Sequence, residues 1–253
     1  MKIEFYENMN GIMAGMTLKD DNEPESGNMA LHTSVSTESV IKNRKKLAEI
    51  LGTELECFVC PGQTHSDNFY EAKKADKGRG AYEYDSAVQD TDALYTFEPG
   101  ILLCCYSADC VPVLFHNREA GLIGVIHSGW QGTVKEISLK VFRHLINDLG
   151  LKPQDFKVYI AKAISQEKFE VDEDVYSQFK ALGYAEPFIR YSEKTGKYHI
   201  DNQKTVKKQC ELAGIPSDVI SVDTTCTYTD ETNCFSFRRD PKCGRHMSFI
   251  IRR

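Results

Sequence analysis

From Thr37 to Leu51 the apolar residues Val40, Ile41, Leu47, Ala48 and Leu51 recur at helical spacing, with Ser36 placed as N-cap and Gly52 just beyond the end. The pattern predicts a helix there, followed by a strand over residues 55–60 and the loop PGQTHSDN. The stretch from Glu71 to Asp90, rich in Lys, Gly and Asp, reads as polar and mobile. Beyond Ile101 the chain turns apolar: ILLCCY, VPVLF and LIGVIH follow one another, the last two parted by the turn HNREAG. Such uninterrupted runs predict strands covered on both faces. A second helix is predicted after SGWQGT, with Val134, Ile137, Val141, Leu145 and Leu149 as its apolar stripe and Gly150 closing it. KVYIAK then reads as a strand, DEDVYSQFKALG as a helix, and FIRYSEKTGKYHI as a hairpin turning at Lys194 to Gly196. QKTVKKQCELAG predicts a last helix before closing strands around Val219 and Ser248, while the first thirty residues suggest irregular hairpins. No linker or repeat interrupts the 253 residues, so residues 1–253 read as one domain with a large core.

Charge and cysteine usage narrow the classes. A net charge of -6 with scattered Lys and Arg argues against a nucleic-acid partner. The one basic run, Lys42 to Lys46, reads as a solvated helix face. No apolar run is long enough to span a bilayer, and MKIEFYENMN has acids where a secretory signal carries its apolar core, so a cytoplasmic location is expected. In that compartment the nine cysteines stay reduced and are core residues or metal ligands. Cys57 and Cys60 have the gap of a zinc knuckle, but on a strand they point to opposite faces and read as structural. Cys104 and Cys105 read as buried strand residues.

Candidate chemistry collects at strand ends. His65 lies in a loop after a strand, His127 ends an apolar strand before a Gly-Trp-Gln-Gly turn, and Cys110 lies where one strand finishes and another begins. Two imidazoles and a thiolate make a good zinc set with a fourth position open, although their spacing alone carries no metal signature. The turn Ser128 to Gly132 is a candidate anion seat through its backbone N–H groups. Arg238 or Arg239 could add a bidentate guanidinium, only one of the two pointing inward, the other reading being an ion pair with Asp240. Gln63 could orient His65 or meet a substrate edge, and Trp130 is open to two readings, stacking on a flat ligand or core packing. Asp109 reads as a turn residue, with proton carriage as its alternative.

The motifs QTHSD, TDALYT, YSADCVPVLF, GVIHSGWQGTV and FSFRRDPKCGR, in this order, resemble those of the YfiH/YlmD family. That family carries the labels laccase domain, purine nucleoside phosphorylase and peptidoglycan editing factor. The likeness runs from about Ala30, where LHTSVSTESVIKNRKKLAEILG resembles the family's first helix with Asn43 and Arg44, to the C-terminus. It implies an α+β fold: mixed β-sheets in a sandwich with flanking helices, related to cysteine-hydrolase-like toxin domains. It also implies one zinc ion held by His65, Cys110 and His127 as the catalytic centre. The implied substrates are phosphate and a purine nucleoside such as inosine, guanosine, adenosine or methylthioadenosine, with deamination of adenosine as a further activity. The chain departs from the family at Ser66, at Gln131, in AKAISQEKFEV from Ala161, and at Leu18 and Lys19. The ligand positions survive these changes, whereas parts of the substrate pocket do not.

Two other classes compete. A hydrolase could use Cys110 as nucleophile and His127 as base to remove misplaced serine from a cell-wall precursor. A multicopper oxidase needs about ten histidines, largely in His-x-His pairs, and seven without such a pair argue against copper. The sequence identifies no protein partner.

Overall fold

The computed structural model describes residues 1–253. Two mixed sheets carry the fold. One has five strands in the order Ile3–Met9, Ile12–Thr17, His246–Arg252, Leu102–Ser107 and Phe58–Val59. The other has six, in the order Ile220–Val222, Phe156–Ile160, Val111–Asn117, Leu122–Ser128, Ala93–Thr96 and Phe69–Glu71. Side-chain alternation along the strands builds three apolar layers. Leu103, Cys105 and Ile250 of the first sheet meet Leu114, Ile123, Val125 and Leu94 of the second. On the outer face of the first sheet, Leu102, Cys104 and Phe249 pack under Leu47 and Ala48 of the Thr37–Ile50 helix and its C-cap Leu51. On the outer face of the second, Val113, Phe115 and Phe156 pack under Ile137, Val141 and Phe142, and under Val206 and Cys210 of the Asn202–Leu212 helix. Both faces of each central strand are therefore dry, which is why ILLCCY, VPVLF and LIGVIH read as unbroken apolar runs.

Most predicted elements form where the pattern places them. Ser36 Oγ accepts the Ser39 amide at the start of the first helix, and Gly52 follows with φ 60. Asp201 caps the last helix by accepting from the Lys204 amide at 2.9 Å. The Ile189–Ser192 and Lys197–Ile200 strands form the predicted hairpin. The first residues form a hairpin, turning at Asn10 and Gly11, both with positive φ, and made irregular by a register shift between Phe5 and Glu7.

Four expectations need correction. The strand predicted over 55–60 is a short 3-10 turn, Leu55–Cys57, and only Phe58–Val59 pairs in the sheet. The long helix after SGWQGT is broken: Trp130–Val134 and Ile137–Arg143 are separate, because Glu136 takes φ 63, and a π-type turn covers His144–Asp148. The Glu71 to Asp90 stretch is tied down rather than loose, with Asp76 accepting from Lys73 N, Arg79 Nη1 and Tyr70 Oη. In the basic run Lys42 to Lys46, Asn43 and Arg44 turn inward, 0% and 1% exposed.

His246, in the middle of the first sheet, is buried with Nδ1–H donating to Thr17 O at 2.7 Å and Nε2 accepting the Phe235 amide at 2.8 Å. Nε2 can accept the Phe235 amide only while the ring is neutral, and burial pushes its pKa down to about 4. The unfolded chain therefore binds a proton below about pH 6.5 that the folded chain refuses until about pH 4. Stability is expected to fall through that window by about 3 kcal/mol from this group. His246→Gln, which keeps a donor and an acceptor, should flatten the slope of unfolding free energy against pH by up to about 1.4 kcal/mol per unit. Denaturant titrations at several pH values check this, and an unchanged slope would exclude His246 as its source.

Candidate metal centre

The Leu122–Ser128 strand pairs antiparallel with Val111–Asn117, setting His127 opposite Pro112 and Ser128 opposite Val111. That register carries Cys110, one residue before its strand, to the sheet rim beside His127. His127 also donates its backbone N–H to Asp92 O at 2.7 Å, where the Ala93–Thr96 strand begins on the other side. His65 arrives from the loop after Pro61–Gly62 with φ 58, a left-handed backbone. The three donor atoms lie within 4.8 Å of one another. Cys110 Sγ is 3.8 Å from His65 Nε2, and the two rings stand with centroids 5.0 Å apart at 71°. Sulfur and nitrogen bound tetrahedrally to one zinc-sized ion sit about 3.6 Å apart, so this spacing fits a shared ion.

Asp92, which is 0% exposed, organises the group. Its Oδ1 accepts from His127 Nδ1 at 2.8 Å and from His65 N at 3.2 Å. Its Oδ2 accepts from Thr64 N, Ser66 N and Ser66 Oγ. One carboxylate thus sets the backbone of the His65 loop and the tautomer of His127, leaving His127 Nε2 with a free lone pair. Burial pushes the Asp92 carboxyl up, but the His127 and Ser66 donors more than offset it and hold it at about 2. For Cys110, enclosure raises the thiol, while His127 and His65 bring it down to about 6. Burial lowers His127, and the Cys110 sulfur and Asp92 raise it to about 9. Without an ion, thiolate and imidazolium stabilise each other. A cation in the same place would be held by the thiolate and, once the imidazolium gave up its proton, by His127 Nε2.

Asp92 escapes the sequence reading because nothing in TDALYT distinguishes an orienting carboxylate from a surface acid; the only signal is its place just before an apolar strand. In Asp92→Asn, the amide cannot accept every one of these donors and sets an NH2 group against them. Metal affinity, read by titration with a competing chelator, should drop about 10- to 100-fold. Unaltered affinity would reduce Asp92 to a loop residue.

The other candidates divide. Gln63 lines the cavity, but its amide is consumed by the Tyr106 backbone, donating to the carbonyl at 2.9 Å and accepting the N–H at 2.6 Å. Ser128 is fully buried and bonded to Thr133 Oγ1, and neither Ser128 nor Gly129 lines the cavity. Gly129 acts by its small size: a Cβ there would come 2.5 Å from His65 Cδ2 and 3.0 Å from Cys110 Sγ. Of the turn expected to seat an anion, Trp130 lines the cavity, while Gly129 packs against the ligands. Arg239 turns away, its guanidinium donating to Thr227 O, Tyr228 O and Cys234 O. Arg238 lines the cavity, with Nη1 on Lys168 O and Glu170 O and the guanidinium over Phe169. Carbonyl oxygens, not Asp240, are the partners of both arginines. Asp109 is a clamp, accepting from Thr227 Oγ1 at 2.6 Å and Arg238 N at 2.8 Å. Arg245, the last residue of FSFRRDPKCGR, went unnoticed in the sequence, yet it lines the cavity without a carboxylate within ion-pair distance.

The His-Cys-His group belongs to the lining of a cavity of about 570 Å³. Trp130, Ile164, Phe169, Val171 and Val175 form its apolar side, and Arg238 and Arg245 also line it. A family model described as multi-copper polyphenol oxidoreductase laccase matches residues 15–253. The chain belongs to this family. Within it, the purine nucleoside phosphorylase YlmD of Bacillus subtilis (strain 168) is 33% identical over 249 residues, covering 96% of this chain and 90% of its own. Adenosine deaminase RL5, from an unknown prokaryotic organism, is 29% identical over 258 residues, covering 100% of this chain and 98% of its own. The crystal structure of the hypothetical protein YfiH of Bacillus licheniformis is similar with a TM-score of 0.94 at 34% identity, covering 99% of this chain and 96% of that one. The YfiH/YlmD resemblance read from the motifs is thus the family of the chain, and the mixed sandwich with flanking helices is its fold.

Proposed function

We propose that residues 1–253 act as one unit, a zinc-dependent purine nucleoside phosphorylase with deamination of adenosine as a second activity at the same centre. The observation that carries this reading is the convergence of His65, Cys110 and His127 in one cavity with an apolar side and a polar side, the latter holding Arg238 and Arg245 together with Asp109, Glu170, Asp172 and Asp174, in a chain with relatives named for those two reactions. Two imidazoles and a thiolate are a zinc donor set with room for a fourth ligand. The family model's name suggests copper, but a multicopper cluster needs further imidazoles nearby. Of the other five histidines only His32 lines the cavity, and it stands outside the three-donor group; His116 lies near Glu7, His144 is engaged with Tyr95 and Asp148, His199 with Gln166 and His246 with Thr17. No helix is long and apolar enough to cross a membrane. A cytosolic location suits a centre that depends on a reduced thiol.

When bound, the ion supplies Lewis acidity at the cavity floor. The chain's own residues do the rest. Asp92 holds His127 in one tautomer and keeps its ring aimed. Arg238 and Arg245 each spend only Nη1 on backbone carbonyls, so Nε and Nη2 remain to hold orthophosphate against the ribose C1′. Their charge also favours the negative purine nitrogen that develops as the glycosidic bond breaks. Trp130, Ile164 and Phe169 exclude water, which favours phosphate over water as nucleophile.

Incubation of the purified protein with inosine and orthophosphate should release hypoxanthine and ribose 1-phosphate, with no release when phosphate is omitted. Metal analysis should return about one zinc per chain. Inertness toward nucleosides combined with hydrolysis of a serine-containing cell-wall precursor would replace this reading by the cysteine hydrolase.

A further inference from the structure

The cavity lies between two layers of the fold, and the two carry different charge. Glu170, Asp172 and Asp174 ride on the segment whose Phe169, Val171 and Val175 pack with Trp130. Two of these acids are already answered: His199 Nε2 lies 3.4 Å from Glu170, and Lys197 Nζ 3.1 Å from Asp172. His32 enters from the opposite layer, on the turn Leu31–Thr33, its ring centroid 6.3 Å from that of Tyr106 and 5.5 Å from that of Tyr84. The imidazole is exposed, lines the cavity and has no hydrogen-bond partner in the protein. Arg245 also lines the cavity, over the ring of Phe237, with Nε and Nη2 unspent. Behind Tyr106 lies the buried guanidinium of Arg44, 5.2 Å from the centre of that ring. Neither guanidinium has a carboxylate within ion-pair distance. Desolvation under the tyrosine rings, and then the charges of Arg245, Arg44 and His127, push the His32 ring down to about 4. At neutral pH it is therefore uncharged and offers one N–H. Every charge that acts on it is a cation, and uncompensated cations at a cavity wall call for an anionic ligand.

We infer that His32 and Arg245 form a phosphate subsite, the imidazole N–H and the free guanidinium nitrogens donating to the oxygens of a phosphate dianion. Two guanidinium groups without counter-ions suit a dianion better than the single charge of a carboxylate, and a guanidinium matches phosphate oxygens bidentately. Glu170, Asp172 and Asp174 repel the same anion from the other side, so the division of charge fixes the end at which it sits. The inference rests on the phosphorylase reading only in naming free orthophosphate as the occupant. The same donors suit the phosphate of a nucleoside 5′-monophosphate, and the two sources differ in what else arrives with the anion.

The test is calorimetric titration of the zinc-loaded protein with orthophosphate. His32→Leu should bind it about tenfold more weakly than the wild type, and Arg245→Gln more weakly still. His32→Gln, which keeps an N–H, should stay within about threefold of the wild type. A wild type that binds neither orthophosphate nor inosine 5′-monophosphate more tightly than inosine overturns the inference without any variant having to fold. So does phosphate affinity that a folded His32→Leu protein keeps to within about twofold; if that binding also vanishes when a chelator removes the zinc, the anion sits on the ion instead. Inosine 5′-monophosphate separates the two sources. Bound about tenfold more tightly than inosine by the wild type, and equally with it by His32→Leu, it makes the occupant an esterified phosphate. Bound no better than inosine while orthophosphate affinity depends on His32, it makes the occupant free phosphate. Phosphate binding that depends on His32 without hypoxanthine release would sink phosphorolysis and keep the subsite. Hypoxanthine release with a KM for phosphate indifferent to His32 would do the reverse.

Discussion

Cys110→Ala is expected to emerge from purification without zinc and with nucleoside turnover reduced by more than about 10³-fold. The estimate follows from the several kcal/mol of charge stabilisation that a metal supplies, each 1.36 kcal/mol being tenfold in rate. Cys110 gives the only thiolate of the donor set, and its thiol is already brought to about 6 by the two neighbouring rings. Alanine leaves two imidazoles, a poor site for holding zinc against a chelator. Cys57→Ala is the matched control. That residue ends a 3-10 turn and is half-buried, with Lys77 Nζ 3.6 Å away, so its loss should cost at most about 0.5 kcal/mol and no metal. Metal content by plasma emission and turnover by hypoxanthine release, measured on both variants, decide the matter. Equal zinc loss from both would show that Cys110 is not the ligand, and full activity in Cys110→Ala would end the proposed centre.

The sequence made His65, Cys110 and His127 legible through motif context, and the register explains why context was needed. Ligands separated by 45 and 17 positions converge only because Val111–Asn117 and Leu122–Ser128 pair antiparallel while a left-handed turn at His65 swings its ring over them. No local spacing encodes that. The sheet core was legible because covered strands must be apolar on both faces, and the helix of Thr37–Ile50 because its stripe and cap agree. Residues whose role is to satisfy others were not. Asp92 reads as an ordinary strand-end acid, and Gln63 reads as a residue that orients His65 or meets the substrate, although its amide is spent on the Tyr106 backbone. The phosphate candidates moved for the same reason. Arg239 fastens a loop through carbonyls, while Arg245 keeps nitrogens free at the cavity wall. The helix break at Glu136 was hidden because the stripe of Ile137, Val141 and Leu145 continues the spacing set by Val134.

Arg44→Met should lower stability by about 4 kcal/mol and the melting temperature by about 10 °C. Arg44 lies in the run that reads as solvated surface, yet its guanidinium is buried under the first sheet. Nε donates to Met29 O, Nη1 to Gly80 O and Ala81 O, and Nη2 to Tyr106 Oη, so one side chain joins three distant segments. Burial lowers its pKa, but the neighbouring Tyr106, Cys60 and Cys104 raise it further, and it stays charged. Replacing a buried ion pair by apolar residues is often neutral, because both charges leave together. That escape is closed here: the partners are backbone carbonyls and a phenol, which remain after the substitution and lose their donors. Arg44→Lys keeps the charge but not the planar fork, and should recover less than half of the loss. Calorimetry on the three proteins tests this. A shift below about 2 °C in Arg44→Met would mean that water can replace the guanidinium. Zinc retained by folded Arg44→Met at low temperature would separate this role from that of the metal centre, which Arg44 reaches only through Tyr106 and its bonds to Gln63.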